Sequence, residues 1–117
     1  MDKYALGDSG EMLAQNFLTE KGYVILDTNV RYPNVGEIDI VAKDGGTLVF
    51  VEVRARSDDR FGHPLETITP AKIKKVVAAS RRYLSLNKVP ASGYRFDVVS
   101  VLRDTPMLIK NAFYAHW

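Results

Sequence analysis

Hydrophobic and polar positions follow two rhythms along this chain, one helical and one alternating. From Asp8 to Lys21, the apolar residues Met12, Leu13, Phe17 and Leu18 recur at helical spacing, and Gly22 stops the pattern. YVILDTN (23–29), GEIDIVA (36–42) and TLVFVEVR (47–54) read as strands. The last two are joined by KDGG, a strong hairpin signal. Residues 55–69 form a polar loop containing RSDDRFGHP. Thr69 before Pro70 is a helix N-cap followed by proline at the first helical position, which opens a helix to about Leu86. Ile73, Val76, Val77 and Leu84 are its apolar stripe, with the small Ser80 filling the turn between them. Strands at Tyr94–Leu102 and Leu108–Tyr114 complete the pattern. The order is helix, three strands, helix, two strands, with no repeat or linker. It predicts one α/β domain over residues 1–117, a mixed sheet between helices.

Composition narrows the chemistry. A length of 117 residues suits one core, and 46% apolar with 26% charged residues excludes wholesale disorder. The apolar run Leu48–Val51 already ends at Glu52, far short of a membrane span, and no hydrophobic signal segment opens the chain. A soluble, cytoplasmic domain is therefore expected. The absence of cysteine removes disulfides, thiolate metal sites and cysteine nucleophiles. His63 and His116 are far apart, so a histidine zinc site is hard to build and a bound metal should take oxygen ligands.

The net charge of +2 conceals an asymmetry, because residues 67–117 hold nine basic residues against two acidic ones. Between Thr69 and Pro90 lie Lys72, Lys74, Lys75, Arg81, Arg82 and Lys88 without a single acid. Such a stretch is either a footprint for a polyanion or a solvated helix face. Lys74, Lys75, Arg81 and Arg82 are not expected all to face one direction, so only some should contact phosphates.

The segment GEIDIVAKDGGTLVFVEVRAR carries acids on apolar strands. Alternation puts Glu37, Asp39 and Val41 on one face of the first strand, and Leu48, Phe50, Glu52 and Arg54 on one face of the second. With a four-residue loop, Lys43–Gly46, Asp39 faces Phe50 and lies diagonally from Glu52, roughly 7–8 Å away between Cα atoms. Carboxylates clustered there repel each other and lose hydration, so something positive should compensate them: Arg54, or a hard divalent cation such as Mg²⁺. The competing reading is an open, solvated face with a surface Glu52–Arg54 pair.

An acid on one strand, a hairpin, then E-x-K on the next is the signature of the PD-(D/E)xK nucleases. More closely, the chain resembles the YraN-like family of bacterial proteins, predicted endonucleases. The resemblance rests on GDSGEMLAQNFLTEKGY, NVRYPNVGEIDIVAKDGGTLVFVEVRARS, FGHPLETITPAKIKKV and YRFDVVSV, which span nearly the whole chain. It implies a restriction-endonuclease-like core similar to that of archaeal Holliday-junction resolvases. Asp39 then matches the first metal-binding acid and Glu52 the acid of E-x-K, with the Val53 carbonyl between them. Glu11 matches an acid that resolvase-like members place on the first helix. Asp8 and Glu11 also form D-x-x-E, a capping box, so both roles stay open for Glu11. Arg54 departs from the family's lysine. Arginine stays protonated and cannot act as a general base, but it can hold a phosphate oxygen.

These residues lead to the expectation of a Mg²⁺- or Mn²⁺-dependent nuclease. It would act on double-stranded, branched or junction DNA, with Asp39, Glu52, Arg54 and Glu11 as catalytic candidates. Lys72, Lys74, Lys75, Arg81 and Arg82 would be the DNA contacts. A homodimer is expected by analogy, and no membrane partner. A nucleic-acid-binding module without catalysis is the alternative, and a protein-interaction scaffold the second. Glu37 is expected to tune the site or lie exposed at the strand edge, and His63 to be a turn residue. Asp97 should pair with Arg95 or Arg81. Tyr83, Phe96 and Trp117 should be core or interface residues.

Overall fold

A computed structural model of the chain describes residues 3–56 and 68–115, and the side chains of the first helix from Gly10 onward. His63 and Trp117 lie outside the described residues. The elements are α1 (Lys3–Glu20), β1 (Val24–Tyr32), β2 (Gly36–Asp44), β3 (Thr47–Arg56), α2 (Pro70–Leu86), β4 (Gly93–Leu102) and β5 (Thr105–Phe113). The five strands form one mixed sheet in the order β1-β2-β3-β4-β5, as the alternation predicts. Consecutive strands pair antiparallel except β3 and β4, which run parallel because α2 carries the chain back between them. This is the α/β arrangement of a restriction-endonuclease-like core.

Each helix covers one face. Ala14 and Leu18 of α1 are buried against Ile40, Ala42, Val49, Val51, Val99 and Val101. Val76, Ala79 and Tyr83 of α2 pack on Ile38, Val41, Leu48, Phe50 and Phe96. Phe50 is the hinge of that second core, with its ring centroid 6.0 Å from Tyr83 and 5.6 Å from Phe96. As the central strand, β3 is buried on both faces from Leu48 to Glu52, which explains its near-continuous apolar run.

Three expectations change. The first helix starts at Lys3 rather than Asp8, so Asp8 lies inside it and cannot cap it, and the capping-box role of Glu11 lapses. Met12 is 57% exposed, and Ala14 takes its place on the buried stripe, one turn before Leu18. The β2–β3 loop is the two residues Gly45–Gly46, with Asp44 opposite Thr47 and Gly45 in the left-handed region (φ 59°). The register therefore moves by two residues, and Asp39 comes opposite Glu52 instead of diagonal to it. A two-residue move preserves side-chain parity, so Val41 and Phe50 keep their common face. One residue breaks the alternation itself. Ile38 joins the α2 core while Ile40 joins the α1 core, so the strand turns over at Asp39. Asn29, in line with Asp39 on β1, is left-handed there (φ 51°).

Candidate active site

The site forms where β2 and β3 part. Their ladder ends at Ile40–Val51. In the gap beyond it, Asp39 turns its carboxylate toward β3 and accepts the Val53 backbone N–H at 2.8 Å. A strand residue presents its N–H and C=O on the same edge, so the Val53 carbonyl also leaves β3 toward Asp39. Glu52 follows Phe50 on the α2 face and is only 3% exposed. That burial removes the solvated-face reading of the acids. The Glu52 atom Oε2 is buried without a hydrogen-bond partner.

Lys72, the third residue of α2, closes the site from above. Its Nζ is 3.7 Å from Oε1 of Glu52 and 3.6 Å from Oε1 of Glu37. It is brought there by the helix start: Thr69 caps α2, its Oγ1 accepting the Lys72 N–H at 3.1 Å, and Pro70 occupies the first helical position. Glu37 also meets Arg31 at 3.5 Å, its direct partner across the β1–β2 ladder.

Burial and like charge act together on the two acids. Desolvation raises the pKa of Asp39, against the pull of the Val53 N–H and of Lys72. Glu52 is pushed up to about 8, first by desolvation and then by the Asp39 charge, with Lys72 and Arg54 opposing. The pair thus holds a proton near neutrality unless a cation replaces it.

Glu11 lies half-buried on α1, across the sheet from Glu52, next to Gly10, which packs against Ala55. Among the described residues, no three Asp, Glu or His side chains cluster as metal ligands, so Glu11 does not complete a triad with Asp39 and Glu52. Two carboxylates still suit Mg²⁺, which keeps several waters and takes one or two carboxylates plus substrate phosphates. The partnerless Oε2 of Glu52 is the free oxygen such an ion requires. Arg54 is half-exposed on the strand that carries Glu52.

The basic side chains of α2 divide by direction. Lys74, Lys75, Arg81 and Arg82 are all exposed. At 100° per residue they fall within an arc of about 120°, with Ala71, Ala78 and Ser85 between them, so they do share one face. The expectation that they diverge was wrong. Lys72 alone turns inward. Sequence reasoning placed Lys72 near a phosphate but missed that it compensates the carboxylates. The only signal was its position, two residues after the helix-starting proline.

The uncharacterised protein family UPF0102 matches residues 10–101, from the end of the first helical turns through β4. The chain belongs to UPF0102. Full-length similarity agrees: a UPF0102 protein of Lachnoclostridium phytofermentans is 45% identical over 99% of this chain and 98% of its own length. One from Caldicellulosiruptor saccharolyticus is 43% identical over 97% and 100%. The UPF0102 protein STH1475 of Symbiobacterium thermophilum is 44% identical over 94% and 97%. The UPF0102 match includes Glu11, Asp39, Glu52, Arg54 and the whole of α2. No helix among the described residues is long and apolar enough to cross a membrane.

Proposed function

We propose that this UPF0102 protein is a metal-dependent nuclease that hydrolyses phosphodiester bonds in DNA. The observation that carries the reading is the Asp39–Glu52 pair, two carboxyls converging in the interior with one oxygen unpartnered. An arrangement that burial and like charge both oppose is costly for folding and characteristic of functional sites. Asp39 and Glu52 would hold Mg²⁺ or Mn²⁺, with the Val53 carbonyl beside them. Bound there, such an ion lowers the pKa of water and neutralises charge developing on the phosphate.

The chain's own residues supply the rest. The Lys72 ammonium, a compact point charge at the carboxylates, can bind an oxygen of the reacting phosphate. It offers from α2 the lysine that β3 lacks at Arg54. Arg54 acts as a fixed charge that holds a phosphate oxygen. Lys74, Lys75, Arg81 and Arg82 extend the phosphate path along the exposed face of α2. One observation favours a second reading, nucleic-acid binding without cleavage: Arg54 stays protonated and cannot take a proton from water as the lysine of E-x-K can.

The test is incubation of pure protein with labelled linear, flapped and four-way DNA in Mg²⁺, Mn²⁺ or EDTA. Metal-dependent cleavage that Asp39→Asn and Glu52→Gln each abolish, with DNA binding retained, supports the nuclease. Cleavage that survives both substitutions overturns the site. Binding without cleavage, converted to cleavage by Arg54→Lys, supports the second reading.

A further inference from the structure

Beside the carboxylate pair, a cavity of about 550 Å³ opens between the β1–β2 turn and the first turns of α2. Arg31, Tyr32, Glu37, Lys72 and Lys75 are among its walls. The turn is rigid for local reasons. Val35 donates its N–H to the Tyr32 carbonyl at 3.0 Å, with proline second and left-handed Asn34 (φ 65°) third, the residues a type II turn demands. Gly36 then passes directly beneath α2, where a Cβ would meet the Lys75 carbonyl at 2.2 Å. The wall and the helix are therefore locked together, and the cavity between them is built into the fold.

Its chemistry is mixed in a particular way. Lys72 and Lys75 stand three residues apart on α2, about 5–6 Å between Cβ atoms, comparable to one step between phosphates along a strand. Arg31 adds a third cation on the opposite wall, and Tyr32 an aromatic ring. Glu37 is the one acid, and it pairs with Arg31 and Lys72, so an incoming phosphate competes with it for Arg31. The volume is in the range of small-ligand pockets, and it opens to the side of the site rather than lying flat. A base stacked in a duplex offers only its edge and cannot enter such a recess, whereas an unpaired base can stack on an aromatic side chain.

From this geometry we infer that the cavity receives one unpaired nucleotide of the DNA strand next to the reacting phosphate, its base against Tyr32 and its phosphate between Arg31 and Lys75. The inference rests on the nuclease reading of the neighbouring carboxylates and adds the substrate class: DNA with a single-stranded nucleotide beside the cut, as in a flap, gap or branch. Glu37 holds the two cations in place until the strand displaces it.

The experiment uses the full chain carrying Glu52→Gln, so that binding is read without cleavage. Affinity is measured by fluorescence anisotropy for a duplex with a short single-stranded flap, for the fully paired duplex, and for flaps with an abasic site scanned through the unpaired stretch. The expected result is a preference for the flap and one position where loss of the base weakens binding by roughly 5- to 150-fold, the worth of one stacked base. Tyr32→Leu should remove that sensitivity while leaving binding of the paired duplex unchanged. Arg31→Ala, at an exposed position, should reduce the flap preference even if the Tyr32 variant fails to fold. Equal affinity for flap and duplex with no base-sensitive position overturns the pocket while leaving the nuclease reading intact, provided that native protein still cleaves. Absence of DNA binding at low salt overturns both.

Discussion

Glu52 lies on the central strand of the sheet, yet its carboxylate is held in the charged form only at a cost in burial and like charge. Its carboxyl is raised from 4.5 to about 8, so the folded state holds a proton that the unfolded chain releases. The associated stability is fully present below about pH 4.5 and is lost as pH rises through about 8. Metal-free protein should therefore melt at lower temperature at pH 8 than at pH 5, with a slope of at most about 1.4 kcal/mol per pH unit. Glu52→Gln should flatten that dependence, and Mg²⁺ should reverse it. Thermal melts in EDTA and in Mg²⁺ across this range are the measurement. Lys72 gives the complementary prediction. Lys72→Met should cut any cleavage rate by about 10²- to 10³-fold, the usual effect of removing one preorganised donor to a reacting oxygen, with little change in DNA affinity. An unchanged single-turnover rate would remove Lys72 from the mechanism. Asp39 and Glu52 were readable in the chain because acids interrupt apolar strands. Lys72 was readable as a phosphate contact but not as the partner of Glu52 and Glu37, which lie 20 and 35 residues away in sequence and meet it only through packing.

Among the elements, α2 does three jobs on two arcs. One arc buries Val76, Ala79 and Tyr83 in the core. Lys72 lies within that same arc at the N-terminal end of the helix, beyond the core, and reaches the carboxylates, while the exposed arc carries Lys74, Lys75, Arg81 and Arg82. Because these four share one face, each should contribute to phosphate binding. Neutralising any one to glutamine should lower the log–log salt slope of DNA affinity by roughly 0.9, and a salt-independent affinity would argue against the helix as the interface. The β1–β2 turn is the second working element. Gly36→Ala would drive a methyl into the α2 backbone at Lys75 and should separate turn from helix, lowering thermal stability and abolishing the cavity together. The stop of α1 near Gly22, the proline start of α2 and the presence of the β2–β3 hairpin were legible because local chemistry decides them, whereas the Lys3 start of α1 and the two-residue length of the loop were not. The extension of β1 to Tyr32 was not, because left-handed Asn29 interrupts the strand pattern and only pairing with β2 restores it.

At the scale of the whole molecule, the end of the sheet away from the site is tied by a second buried charge. Asp97 is fully buried, accepting Arg95 Nε at 2.8 Å, the Tyr23 hydroxyl at 2.8 Å and the Asn111 N–H at 3.0 Å. Arg95 continues to Asp44 at 2.8 Å, so the network links the approach to β1 with β2, β4 and the irregular pairing of β5. Both oxygens of Asp97 are answered, which is the opposite of Glu52 and the reason the network reads as architecture rather than chemistry. Arg95→Ala should cost about 3–5 kcal/mol by stranding the Asp97 charge, visible as a fall in melting temperature, while leaving the Asp39–Glu52 pair untouched. The order of elements, the mixed sheet, the two acids and the basic helix follow from the sequence alone, because periodicity, capping and charge are local quantities. The Arg95–Asp97 pair was also within reach, two residues apart on one strand. Tertiary structure alone decided the turn of the strand at Asp39, the arrival of Lys72 and the cavity at Tyr32. Each depends on which surfaces meet when two helices close on a twisted sheet, and no window along the chain contains both partners.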